Sequence, residues 1–121
     1  MKNKIRSIYY GIQNVVRWIP VIWDDQDWDW IFLARILEYK LRRMSYHELT
    51  YGHHTTSKRD AKQQLICANL LARLVKDDYY ENAELRFGNS TIAYKHGDST
   101  ARNDQRYLGL LLGKYLRNWW D

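Results

Sequence analysis

The sequence predicts a mainly α-helical protein. It reads as a single helical domain over residues 1–121, a four-helix bundle-like fold with a small β-hairpin or long loop between the third and fourth helices. Three observations carry that expectation. Apolar residues recur at helical spacing in four separate stretches. Those stretches are bounded by the chain's one proline, by glycine and by capping residues. And 121 residues suit one domain, with no repeat, low-complexity tract or linker to divide them.

Residues 4–19 set Ile5, Ile8, Tyr9, Ile12, Val15, Val16 and Ile19 on one stripe, with Lys4, Arg6, Gln13 and Arg17 off it. Pro20 is expected to end this helix, because its ring disfavours helical backbone at the preceding residue. Residues 21–23 are then expected to be extended. Gly11 either weakens the middle, by about 1 kcal/mol relative to Ala, or permits close approach of another helix. Asp24, Asp25 or Asp27 is expected to cap a second helix reaching about Tyr51 through Leu33, Ile36, Leu37, Lys40, Leu41 and Met44. Its acids precede Arg35, Lys40, Arg42 and Arg43, the order the helix dipole favours. Gly52 is a natural stop.

A polar connector, 53–56, leads to a third helix. Ser57 with Asp60 three residues on has a capping-box arrangement. Ala61, Leu65, Ala68, Ala72, Val75 and Tyr79 form its stripe, widened by Leu71 and Leu74, with an end near Tyr80. In 81–98, Leu85-Arg86-Phe87 and Thr91-Ile92-Ala93-Tyr94 flank Gly88-Asn89-Ser90. Alternation about a turn signal suggests the hairpin; a structured loop competes with it. Ser99 or Thr100 can cap a fourth helix to about Trp119, with Leu108, Leu111, Leu112, Tyr115 and Trp119 on its apolar face.

Net charge of +5 favours anionic partners: nucleic acid, a nucleotide or an acidic protein face. Ten tyrosines and six tryptophans stand against two phenylalanines, a bias towards rings with a polar handle, suited to partly wet surfaces. Residues 18–30 alone hold four tryptophans and four aspartates. The single cysteine, Cys67, excludes an intramolecular disulfide and reads as a small buried apolar residue in a reducing compartment. No stretch reads as a signal peptide or a membrane span, so a soluble protein of the cytoplasm is expected, without a membrane partner.

Candidate chemistry is thin. Asp25, Asp27 and Asp29 open like a calcium loop, but Trp30 stands where Gly is needed and Ile36 where Glu is needed, and capping already explains the acids. His47, His53, His54 and His96 lack metal-ligand spacing. Serine-nucleophile motifs and glycine-rich phosphate loops are absent. No enzyme, no metal and no cofactor is therefore expected. What remains is arginine beside aromatic rings, since forked donors meet phosphate and rings stack on bases. The candidate ligand contacts are Arg17, Trp18, Trp23, Trp28, Tyr39, Arg43, Arg102 and Arg106.

Residues 17–44 carry a distinctive pattern: Arg17, Trp18, Pro20, Ile22 and Trp23; then Asp25, Asp27, Trp28 and Asp29; then Leu33, Leu37, Lys40, Leu41 and Met44, with Asp77-Asp78-Tyr79 further on. This resembles a family of small, mostly uncharacterised bacteriophage proteins, over residues 17–80. The resemblance implies a phage origin and action in the host cell cytoplasm. By analogy it implies binding: a sponge that sequesters an anionic nucleotide-type immune signal, or an inhibitor of a host defence protein of the anti-defence or anti-CRISPR type. Nucleic acid ranks below both, because the basic residues are scattered over all the helices. Self-association into a homo-oligomer is also expected, since an exposed Trp119-Trp120 pair on a small monomer would be unusual.

Overall fold

In a computed structural model of the chain, residues 2–119 are described. They form five α-helices and a 3-10 turn: α1 (Lys2–Ile22), α2 (Trp30–Tyr51), α3 (Ser57–Lys76), α4 (Tyr79–Phe87), α5 (Ser90–Tyr115) and the turn Leu116–Asn118. The mainly helical expectation holds. Among the described residues no strand occurs, and no helix is long and apolar enough to cross a membrane.

The second helix ends at Tyr51 before its expected Gly52 stop, but its cap is Asp29. That side chain accepts from the Ile31 N–H at 3.0 Å, two residues later than the last aspartate expected to cap it. α3 begins at Ser57 behind Thr56, and the capping box is not made: Thr56 donates its hydroxyl to Asp60 at 3.2 Å instead. α3 stops at Lys76, short of Tyr80, because Asp77 turns left-handed (φ 50°), a conformation that aspartate tolerates better than most residues.

The hairpin is a correction. Gly88 and Asn89 join two helices. Gly88, at φ 66°, closes α4 by donating its N–H to the Glu84 carbonyl at 2.8 Å. Asn89 opens α5 by accepting from the N–H groups of Thr91 and Ile92 at 3.0 and 3.2 Å. Both residue types serve turns and helix ends alike, for the same backbone reasons. Ser99 and Thr100 therefore lie inside α5. Thr100 donates its hydroxyl to the His96 carbonyl at 2.9 Å, one turn back, which satisfies it within the helix.

The core forms where α2, α3 and α5 meet: Ala34 and Leu41; Cys67, Ala68, Leu70 and Leu71; Leu108 and Leu111; and Trp119. Trp119 is buried, and its indole N–H donates to Gln63 at 3.1 Å. It is thus no exposed anchor, and Trp120 lies outside the described residues. Cys67 is buried as expected, and burial pushes its thiol pKa up. α4 folds back on α5. Gly97 makes that approach possible, since a Cβ there would stand 3.0 Å from the Tyr79 backbone.

Among the described residues five α-helices form where four were expected, and α1 stands outside the shared core. None of its residues is buried, and its whole apolar stripe faces outward. It also runs through Pro20 to Ile22. Towards its end Trp18 meets Tyr39 of α2 edge-on, with ring centroids 4.7 Å apart.

Candidate groove between α2, α3 and α5

The helix trio leaves an open groove of about 960 Å³ along one side of its core. The size lies near the top of the range of about 300–1,000 Å³ for ligand pockets. Its floor is apolar: the buried Ala34, Leu71 and Leu108, with Leu37 and Leu74 beside them. One lip is Trp30 and Leu33, which α2 brings to the floor's face by the spacing 30, 33, 34, 37. The other lip is a turn-by-turn row on α5: Asp98, Arg102, Gln105 and Arg106. Arg102 pairs with Asp98 at 2.9 Å, one turn earlier. Asp77 also lines the groove.

Tyr79 contributes to the groove wall and to a smaller cavity of about 180 Å³ behind it, lined also by Arg73, Arg86 and His96. Its hydroxyl donates to Asp104 at 2.6 Å, a buried bond in the range of charge-assisted contacts. Arg73 reaches the same carboxylate oxygen at 3.0 Å. Burial first, and then the Asp104 carboxylate, raise the phenol pKa far above its usual value. This wall group is held protonated, the opposite of an activated nucleophile.

The eight candidate contacts do not make one site. Arg102 and Arg106 line the groove. Trp18 and Tyr39 meet edge-to-face at the α1–α2 junction, with Arg43 one turn beyond Tyr39 and Arg17 hydrogen-bonded to Asn14 at 3.0 Å. Tyr39 lies two residues past Leu37, about 200° around α2, so this group sits on the helix face turned away from the groove. Trp23 and Trp28 stand in the 23–29 connection, 79% and 81% exposed. Trp30, Gln105 and Tyr79 were not anticipated. The signal was present for Trp30: it repeats at helical spacing with Ala34 and Leu37.

The groove's chemistry is mixed. An apolar floor accepts a flat ring, and Trp30 offers a stacking face. Arg102 and Arg106 offer donors to phosphate. Asp77 and Asp98 offer acceptors to hydroxyl or amino groups. Nucleotides carry all three kinds of partner. No family profile, no curated protein and no solved structure matches the chain.

Proposed function

We propose that this chain is a non-catalytic binding protein that holds an anionic nucleotide-type ligand in the α2–α3–α5 groove. The supporting observation is one geometry: an apolar-floored groove of about 960 Å³ with Trp30 on one lip and Arg102 and Arg106 on the other. Stacking would take the base and the guanidiniums the phosphate, with Asp77 and Asp98 reading donor edges. The overall charge of +5 favours such a ligand. The resemblance to small phage proteins gives the setting: a phage protein in the host cytoplasm, sequestering a nucleotide immune signal. Thermal shift and calorimetry against cyclic dinucleotides and cyclic ADP-ribose-type signals test this. Binding lost in Arg102→Ala/Arg106→Ala supports it; no binding tighter than millimolar across the panel overturns it.

A second reading is favoured by one specific observation, the exposure of Trp23 and Trp28 in the 23–29 connection. Buried Trp anchors dominate many interfaces. On this reading the chain inhibits a host defence enzyme by docking those rings. Inhibition of a purified defence enzyme, abolished by Trp23→Ala/Trp28→Ala and untouched by Arg102→Ala/Arg106→Ala, would select it.

A further inference from the structure

We propose that α1 is a dimerisation element, its apolar seam pairing antiparallel with the same seam of a second copy. Ile5, Ile8, Ile12, Val15, Ile19 and Ile22 recur at alternating steps of three and four, the a and d spacing of a coiled coil, along nearly the whole helix. All six are 42–65% exposed. Trp18, which meets Tyr39 of α2, is not itself a seam residue, and the seam stays exposed with that contact made. A helix with Gly11, Pro20 and six β-branched seam residues has weak intrinsic propensity; burying the seam is what would stabilise it. Beside the seam, a Cβ added at Gly11 would meet nothing within 4 Å, which leaves room for a second helix to come close.

Charge selects the occupant and the direction. α1 begins with Lys2, Lys4 and Arg6 and contains no acid, while its far end runs directly into Asp24 and Asp25, with the Asp25 N–H bonded to the Ile22 carbonyl. In an antiparallel pair Ile5 meets the partner's Ile22, Ile8 meets the partner's Ile19, and Ile12 meets the partner's Val15. Every layer is then an a residue against a d residue. The same register carries Lys2 and Lys4 to the partner's Asp24 and the partner's Asp25 at both ends of the seam. A parallel pair would instead set base on base and acid on acid. An anionic lipid surface would attract the basic end but repel the aspartates of 23–29. The dimer thus seats on α1 and not on the chain's C-terminal tryptophans, and it is independent of the groove.

Size-exclusion chromatography with light scattering on the full chain should show a dimer at micromolar concentration. Ile12→Glu should run as a monomer with its remaining helix content intact by circular dichroism. Lys2→Glu/Lys4→Glu and Asp24→Lys/Asp25→Lys should each weaken the dimer about tenfold, and the chain carrying all four changes should recover. Chains with Ile5→Cys and chains with Ile22→Cys should cross-link with each other on oxidation, and neither with itself. A monomeric wild type, a dimer indifferent to Ile12→Glu, self-cross-linking of Ile5→Cys, or a monomer that binds phosphatidylglycerol vesicles through the seam would each overturn the proposal.

Discussion

Replacing Tyr79 by Phe removes one hydroxyl and keeps the ring. The lost bond is the 2.6 Å donation to Asp104, inside the wall shared by the groove and the smaller cavity. Hydrogen bonds to charged groups contribute about 1.5–3 kcal/mol. Asp104 keeps Arg73 at 3.0 Å, so its carboxylate is not stranded, and about 2 kcal/mol is the expected loss. At roughly 2.1 cal/mol/K per residue, 121 residues give an unfolding entropy near 0.25 kcal/mol/K, so Tm should fall by about 8 °C. Thermal and urea unfolding at one fixed protein concentration measure both. A pH arm separates this bond from simple packing. The folded phenol pKa is raised, so its contribution is fully present below the ordinary value of 10 and is lost as pH rises above it. The stability gap between wild type and Tyr79→Phe should therefore shrink, by about 1 kcal/mol, between pH 10 and 11. A loss under about 0.5 kcal/mol at neutral pH, or a gap that stays constant above pH 10, would refute this reasoning.

Trp119→Ala should cost about 3 kcal/mol in urea unfolding, because it empties a buried site and removes the bond to Gln63, whereas the exposed Trp28→Ala should stay within about 0.5 kcal/mol. Gly97→Ala should cost about 1–3 kcal/mol, since its Cβ would press the Tyr79 backbone at 3.0 Å; Gly11→Ala, with open space around it, should instead raise helix content by circular dichroism. Cys67, buried and with its thiol pKa raised, should react with a disulfide reagent at pH 8 at least about 100-fold more slowly in the folded protein than in urea.

Periodicity made most of the helices legible, because Leu41, Ala68, Leu71, Leu108 and Leu111 sit on faces that pack against one another in the core. It could not say what covers a face. The α1 stripe reads like a core stripe in every respect, yet its Ile and Val residues stay unburied in the monomer. The 88–89 joint was illegible for a different reason. A glycine able to adopt positive φ and an asparagine able to cap serve a hairpin turn and a helix–helix joint equally well. The Trp-rich run is similarly ambiguous. Its four rings go separate ways: Trp18 onto Tyr39, Trp23 and Trp28 into solvent, Trp30 onto the groove's lip. That Trp28 falls in the connection and Trp30 in the helix follows from Asp29, and not an earlier aspartate, starting α2. Arg102 and Arg106 could be nominated because both lie on one helix, one turn apart. The apolar floor beside them is assembled from α2, α3 and α5 and shows only in three dimensions.

The central claim is that the groove grips a nucleotide-type anion between Trp30 and the two arginines. Isothermal titration calorimetry tests it most directly, using the wild type, Trp30→Ala and Arg102→Ala/Arg106→Ala against cyclic dinucleotides and cyclic ADP-ribose-type ligands. The account predicts a micromolar or tighter Kd for a member of the panel, weakened about 10-fold or more by the indole change and about 100-fold or more by the paired arginine change. No measurable heat with any ligand, or an affinity that both variants leave intact, would contradict it.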